Sequence, residues 1–405
     1  MREKRLDIAT STNYATGGAG VVGTPTKVAP PASHATDGVV PGLAFGSQWE
    51  NYIHHYLQKQ IEISSQVPFR NWIEFTGMSS IAYAQTSRFA FNKYIGMTFM
   101  VRGSGAGNSW YYLNELPQPS AGAPQTYPVT PAVGTFVARG VAAIEDPTTP
   151  SWLVVGSNAT DPTKTLWKIL PFGVSDTEVV SPVSGAVELI CKDKTTGYFY
   201  AFAADANRSV LVHGPATSDT WSVLGQRGAG APAPSAANMY CAAANGLLYL
   251  AYTTTPGSTQ ATVEKITTGA FTRTALTPFS STSAILDVIF SPQIGAFMLL
   301  TKANTYRFFS DPALGFETFP HSTPYSNAIG SSWVTSGCLH ETGSVYQDGN
   351  VLLVTSWLGD APHLAYFADF GIPSSSHVLR FDGSAIWMIK DESSVPRVFR
   401  SLRSN

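Results

Sequence analysis

SPQIGAFMLLTKANTYRFFSD, residues 291–311, places a turn, "PQIG", directly before five apolar residues, then a second turn, "KAN", and a further short apolar run. Extended stretches favour β-branched and aromatic residues, whereas tight turns need Gly, Pro and Asn, which tolerate unusual backbone angles. The stretch therefore reads as a β-meander. Working outward from it, the same grammar recurs: an apolar strand, a turn, and a second apolar strand begin near 88, 136, 186, 236, 285, 335 and 377. A spacing near 49 residues, held over most of the chain, is the mark of a repeat architecture.

Each complete unit holds four strands. In the unit around the opening stretch they are expected at 285–291, 296–302, 305–310 and 316–319, and in an upstream unit at 186–193, 198–204, 208–213 and 220–224. Four antiparallel strands per unit of 40 to 50 residues is the pattern of a β-propeller blade, which hides sheet edges by radial repetition. The expected fold is all-β: a seven-bladed β-propeller of four-stranded antiparallel blades over 67–405. The last unit, from 377, has room for only three strands, so a segment near 67–76, "VPFRNWIEFT", is expected to complete it. Blades buried on both sides by their neighbours are expected to have nearly all-apolar inner strands.

The bulk properties agree with a folded β protein. The 405 residues are 44% hydrophobic and only 13% charged, and 35 Gly with 27 Pro supply the turns. A formal net charge of −2, with no Lys/Arg stripe, argues against nucleic acid as a partner. No run approaches the roughly 20 apolar residues of a membrane helix, and no apolar stretch follows the basic N-terminus. Cys191, Cys241 and Cys338 lack metal-ligand spacing. They fall at similar places in successive first strands, as free, small, buried residues, with reactivity the less favoured reading.

The N-terminal part is different. Residues 1–46, rich in Gly, Ala, Thr and Pro, have no hydrophobic period and read as an extended assembly arm. Residues 47–66 follow as an amphipathic helix, centred on 47–63. Phe45, Trp49, Tyr52, Ile53, Tyr56, Leu57 and Ile61 share one face, and Ser47 with Glu50 forms a capping box. Phe45, Trp49, Tyr52 and Tyr56 are the candidate partner-binding residues, because the face is more aromatic than packing on a propeller requires. Capping the propeller's own edge is the competing account of the same face.

Catalytic signatures are absent from the sequence, and no catalytic residue, metal site or cofactor is expected. "GSGAGN" at 103–108 follows a strand but opens no helix, so it reads as a loop. His340 and Glu341 in "CLHETG" read as a solvent-exposed strand end. "SDPALGFETF" (310–319) and "ATSDTWSVL" (216–224) are faintly similar to the Asp-box hairpins of sialidase-like proteins, in which the motif is structural. A sialidase would also need converging arginines and carboxylates. Arg102, Arg139, Arg208 and Arg307 are spread over several units. Trp110 and Tyr111, with Trp357 and His363, are candidate ligand-loop residues because sugars stack on aromatic rings; core packing is the competing account.

The stretch 23–75, with "GTPTKVAPPASHATDGVVPGLAFGSQWENYIHHYLQKQIE" leading to "NWIEF", resembles the N-terminal segments of tailed-bacteriophage virion proteins. The resemblance implies a non-enzymatic, tail-associated structural protein of the virion, assembled in the host cytoplasm. Its arm and helix would dock on other virion proteins and copies of itself, and its propeller would serve structure or host attachment, with a host surface glycan as a further partner. The alternative is a glycan-binding or glycan-hydrolysing propeller of sialidase-like type.

Overall fold

A computed structural model of the chain describes residues 73–75, 87–104, 107–114, 125–126 and, with short gaps of which 321–333 is the longest, 136–401. All belong to the compact unit Phe69–Asn405. The expected arm and helix, with Phe45, Trp49, Tyr52 and Tyr56, lie outside the described residues.

The described strands form antiparallel sheets in chain order. The first contains Arg88–Asn92, Met97–Ser104, Gly107–Asn114 and Gln125–Thr126. The second contains Phe136–Ile144, Ser151–Asn158, Leu166–Ile169 and Asp176–Val179, and the third Val187–Lys192, Phe199–Ala203, Ser209–His213 and Trp221–Gln226. Met239–Ala244, Leu247–Thr253, Gln260–Thr267 and Thr272–Ala275 make the fourth, where Phe279–Ser280 also pairs with the third strand. The fifth is Ile285–Ser291, Ala296–Thr301, Asn304–Phe308 and Phe316–Pro320, within two residues of the boundaries read from the sequence. The sixth is Val334–His340, Gly343–Asp348, Val351–Ser356 and His363–Asp369. The last takes His377–Phe381, Ile386–Glu392 and Val395–Arg400 from the C-terminal end of the chain, and Ile73–Phe75 pairs antiparallel with its outer strand, Ile73 opposite Arg400.

This is a β-propeller. The first strand of each sheet touches the first strand of the next, and that of the last sheet touches Arg88–Asn92 of the first. The apolar core is correspondingly divided, with a separate cluster at each seam between consecutive sheets. At the closing seam Phe89 stacks on Trp387 at 4.9 Å, and Phe75 packs against the same indole at 5.2 Å. Each cluster needs both of its sheets, so no sheet can bury its faces alone.

The innermost strands correct the sequence reading. They mix buried and half-buried positions rather than run apolar throughout, because part of each faces an axial channel: Phe136–Ile144 starts buried, half-buried, buried, half-buried, and Ile285–Ser291 is half-buried at four of its seven positions. The continuous apolar runs belong to the second strands, which are covered on both faces; Phe199–Ala203 and Ala296–Thr301 are buried at every position. Outermost strands such as Thr272–Ala275 are largely exposed.

The turn after the inner strand repeats with the sheets. A side-chain oxygen of Asn92, Asp146, Asp193, Ser291 or Asp382 accepts a hydrogen bond from a backbone N–H two or three residues on. In several units a glycine then takes a left-handed conformation, as Gly96, Gly197, Gly246, Gly295 and Gly383 do with φ between 68° and 101°. "PQIG" in the opening stretch is one such turn, with Ser291 as its cap.

Candidate functional site: the axial channel

The first strands enclose a cavity of about 600 Å³. Because they lie side by side around the axis, residues at matching positions form layers across it.

At one end the layer is charged. Lys192 Nζ donates to Glu145 Oε2 at 2.6 Å, joining the third sheet to the second. Burial lowers the Lys192 pKa, partly offset by that carboxylate. Lys194 pairs with Glu341 of the sixth sheet, lies 3.4 Å from the Gly383 carbonyl oxygen of the last, and sits over the Phe381 ring at 5.9 Å. One flexible ammonium thus straps sheets that are not neighbours across the channel mouth. Asp382 fixes the adjacent turn: its Oδ1 accepts from the Ser384 and Ala385 amides, and its Oδ2 accepts from Trp387 Nε1 at 2.6 Å and from Thr98 Oγ1 of the first sheet at 3.3 Å.

Below the mouth the wall is apolar, with Phe91, Val141, Ile190, Val288 and Leu339, interrupted by the thiols of Cys191 and Cys241. Beside this wall lies a polar cluster. Asp287 lines the cavity and accepts backbone hydrogen bonds from Leu339 N and Val288 N, both at 2.9 Å. Burial outweighs these bonds and pushes its carboxyl up to about 6, despite the nearby guanidiniums of Arg380 and Arg88. Burial first, and then the like charge of Arg380, lower Arg88 to about 9. Tyr240, whose hydroxyl donates to the Ile285 carbonyl oxygen at 3.2 Å, faces the same groups, and burial raises its pKa. Arg88 Nη1 donates to the Ser87 carbonyl oxygen and Arg380 Nη1 to the Leu379 carbonyl oxygen, both at 3.0 Å, so the two guanidiniums act on Asp287 through space.

Sequence reasoning missed Arg88 and Arg380, which stand near opposite ends of the chain and meet only because the ring closes. The arginines it singled out are engaged separately. Arg139 pairs with Glu188 at 3.7 Å, Arg208 binds the Ala204 and Asp205 carbonyl oxygens within its own turn, and Arg307 pairs with Glu317 within the fifth sheet. Arg102 lies in Met97–Ser104.

Of the proposed ligand-loop residues, Trp110 and Tyr111 are buried within Gly107–Asn114. Trp110 makes edge contacts with Phe99 and Phe136 at 6.0 Å each, and Tyr111 joins the closing-seam cluster. His363 is the first residue of the outermost strand of the sixth sheet, opposite Ser356, and Trp357 lies outside the described residues. "GSGAGN" is the tip of a hairpin in which Ser104 pairs with Gly107. His340 departs from expectation: it is 1% exposed, because its ring packs near Phe381 at 6.4 Å across the next seam, and only Glu341 reaches the mouth. All three cysteines are free; Cys338 is buried, whereas Cys191 and Cys241 are half-buried because their positions face the channel.

No family model matches the chain, and no curated protein matches it. Solved structures do. A chain of the mitotic checkpoint complex is 11% identical with a TM-score of 0.50, covering 84% of this chain and 95% of that one. A structural genomics protein of unknown function from Bacteroides thetaiotaomicron is 12% identical with a TM-score of 0.43, covering 74% and 82%. Raptor from Chaetomium thermophilum is 6% identical with a TM-score of 0.49, covering 90% of this chain and 33% of that one. At these identities the likeness concerns fold alone.

Proposed function

We propose that the chain is a non-enzymatic structural component of a bacteriophage virion, tail-associated, whose sheets close as a seven-bladed ring and whose N-terminal arm and helix dock on other virion subunits. The observation that carries the reading is where the chain enters the propeller. Ile73–Phe75, the first described segment after the arm and helix in sequence, is the outermost strand of its sheet. A Gly/Pro-rich arm preceding an edge strand can order itself on a neighbouring subunit, meeting its entropic cost through a large contact surface. Phe45, Trp49, Tyr52 and Tyr56 are its aromatic anchors. The resemblance of residues 23–75 to virion proteins supports the same reading. Deleting residues 1–45 tests it: the propeller folds, and particles assembled with the truncated chain lack it. Normal incorporation refutes the assembly role.

A second reading is favoured by one observation, the grouping of Arg88, Arg380, Tyr240 and Asp287. On this reading the cluster binds an acidic sugar, the glycan-binding alternative. Calorimetric titration with N-acetylneuraminic acid tests it. Binding that Arg380→Ala abolishes supports this reading, and no heat at millimolar sugar removes it.

A further inference from the structure

We propose that Cys191 and Cys241 form a dithiol site in the channel wall, which a peroxide closes to a disulfide linking the inner strands of the third and fourth sheets. Strand register sets the two residues side by side. Asp193 and Ala243 form a parallel β-bridge between those two strands, and Gly246 N donates to Asp193 Oδ2 at 2.8 Å to hold it. Cys191 and Cys241 each lie two residues upstream of the bridge. Side chains two apart on a strand share a face, so the thiols stand opposite one another. A bridge brings strands to about 4.8 Å, and disulfides span Cα separations of about 4.4–6.8 Å.

Two more observations converge on the pair. Both residues line the cavity, so a small oxidant in the channel reaches both sulfurs. The neighbouring Cys241 thiol, followed by burial, lifts the Cys191 pKa well above the ordinary thiol range. The charged groups facing the pair are Asp193 on the third sheet, beside Cys191, and Arg88 on the first, near Cys241. At neutral pH Cys191 is protonated, which keeps the reduced pair slow to react. Cys338, in the seam between the sixth and last sheets, has no thiol neighbour among the described residues and is fully buried, so it serves as an internal control.

The step balances. One thiol loses its proton, and its sulfur attacks an oxygen of hydrogen peroxide; the O–O bond breaks and, with proton transfer, water leaves. The second sulfur attacks the resulting sulfenic acid, the S–O bond breaks, and a second water leaves with the remaining thiol proton. The dithiol gives up two electrons, and the peroxide takes them.

The experiment uses the full chain. It is treated with hydrogen peroxide at pH 7 and pH 8, alkylated under native conditions, digested without reductant and analysed by mass spectrometry. The expected result is one cross-linked peptide containing Cys191 and Cys241, forming about tenfold faster at the higher pH, with Cys338 unlinked. Cys191→Ser and Cys241→Ser each abolish the cross-link, and oxidation raises the melting temperature of the wild type but not of either variant. Recovery of both cysteines as thiols or as separate sulfinic acids overturns the proposal, as does a cross-link to Cys338 or between chains.

Discussion

Asp382 shows how much one side chain can hold. It caps its own turn, anchors the buried Trp387 indole and accepts from Thr98 across the closing seam. Asp382→Ala leaves that indole N–H without its acceptor, and the expected loss is about 3 kcal/mol in urea unfolding; a change under about 1 kcal/mol would show that the seam does not depend on it. Asp287 gives a pH-dependent test. Its folded pKa of about 6 lies above the unfolded value of about 3.9, so the native state binds the proton more tightly. Its stabilising contribution is complete below the unfolded value and is lost as pH rises through 6. Urea midpoints of the wild type relative to Asp287→Asn should therefore improve as pH falls from 7 to 4.5, and a trend in the opposite sense would contradict the burial argument. Trp110 was legible as an aromatic near a Gly-rich turn, but sequence could not decide between ligand and core. With the ring 3% exposed, Trp110→Ala is expected to cost about 3–5 kcal/mol of stability.

Strands were legible because turns punctuate them: capped Asx or Ser positions and left-handed glycines recur at the same point of successive units, and strand positions follow from that spacing. Which strand would be apolar on both faces was not legible, since composition does not reveal the channel that part of each inner strand faces. Polar links join every pair of neighbouring sheets. Asn92 Nδ2 donates to the Ile144 carbonyl oxygen, Arg139 meets Glu188, Gly246 N donates to Asp193, and Tyr240 donates to Ile285; Leu339 N donates to Asp287, Leu379 N to Ser336 Oγ, and Phe91 N to the Asp382 carbonyl oxygen. These partners lie 43 to 53 residues apart, or at opposite ends of the chain, and nothing local in the sequence pairs them. Gly156 is a packing requirement at this scale. A Cβ there would lie 2.2 Å from the Val137 carbonyl oxygen, so Gly156→Ala must displace the first hairpin of the second sheet. The expected cost is about 2 kcal/mol, measured by thermal melting, and an unchanged melting temperature would count against the hairpin register.

For the whole molecule, closure decides stability. A ring whose last sheet is completed by Ile73–Phe75 unfolds as one body, because every seam cluster depends on two sheets and the final cluster draws on both ends of the chain. Phe75→Ala is expected to lower stability by about 3 kcal/mol, while deletion of residues 1–45 leaves the propeller's melting temperature within a degree or two. The meeting of Arg88 with Arg380, the strap at Lys194 and the facing thiols are properties of the closed ring, which is why single stretches of sequence did not disclose them. An experimental density map of the full chain, by crystallography or electron cryomicroscopy, tests the central claim most directly. The account predicts seven sheets around one channel, with residues 73–75 on the outside of the sheet that contains 377–400. Another number of sheets, or a last sheet completed by a different segment, would contradict it.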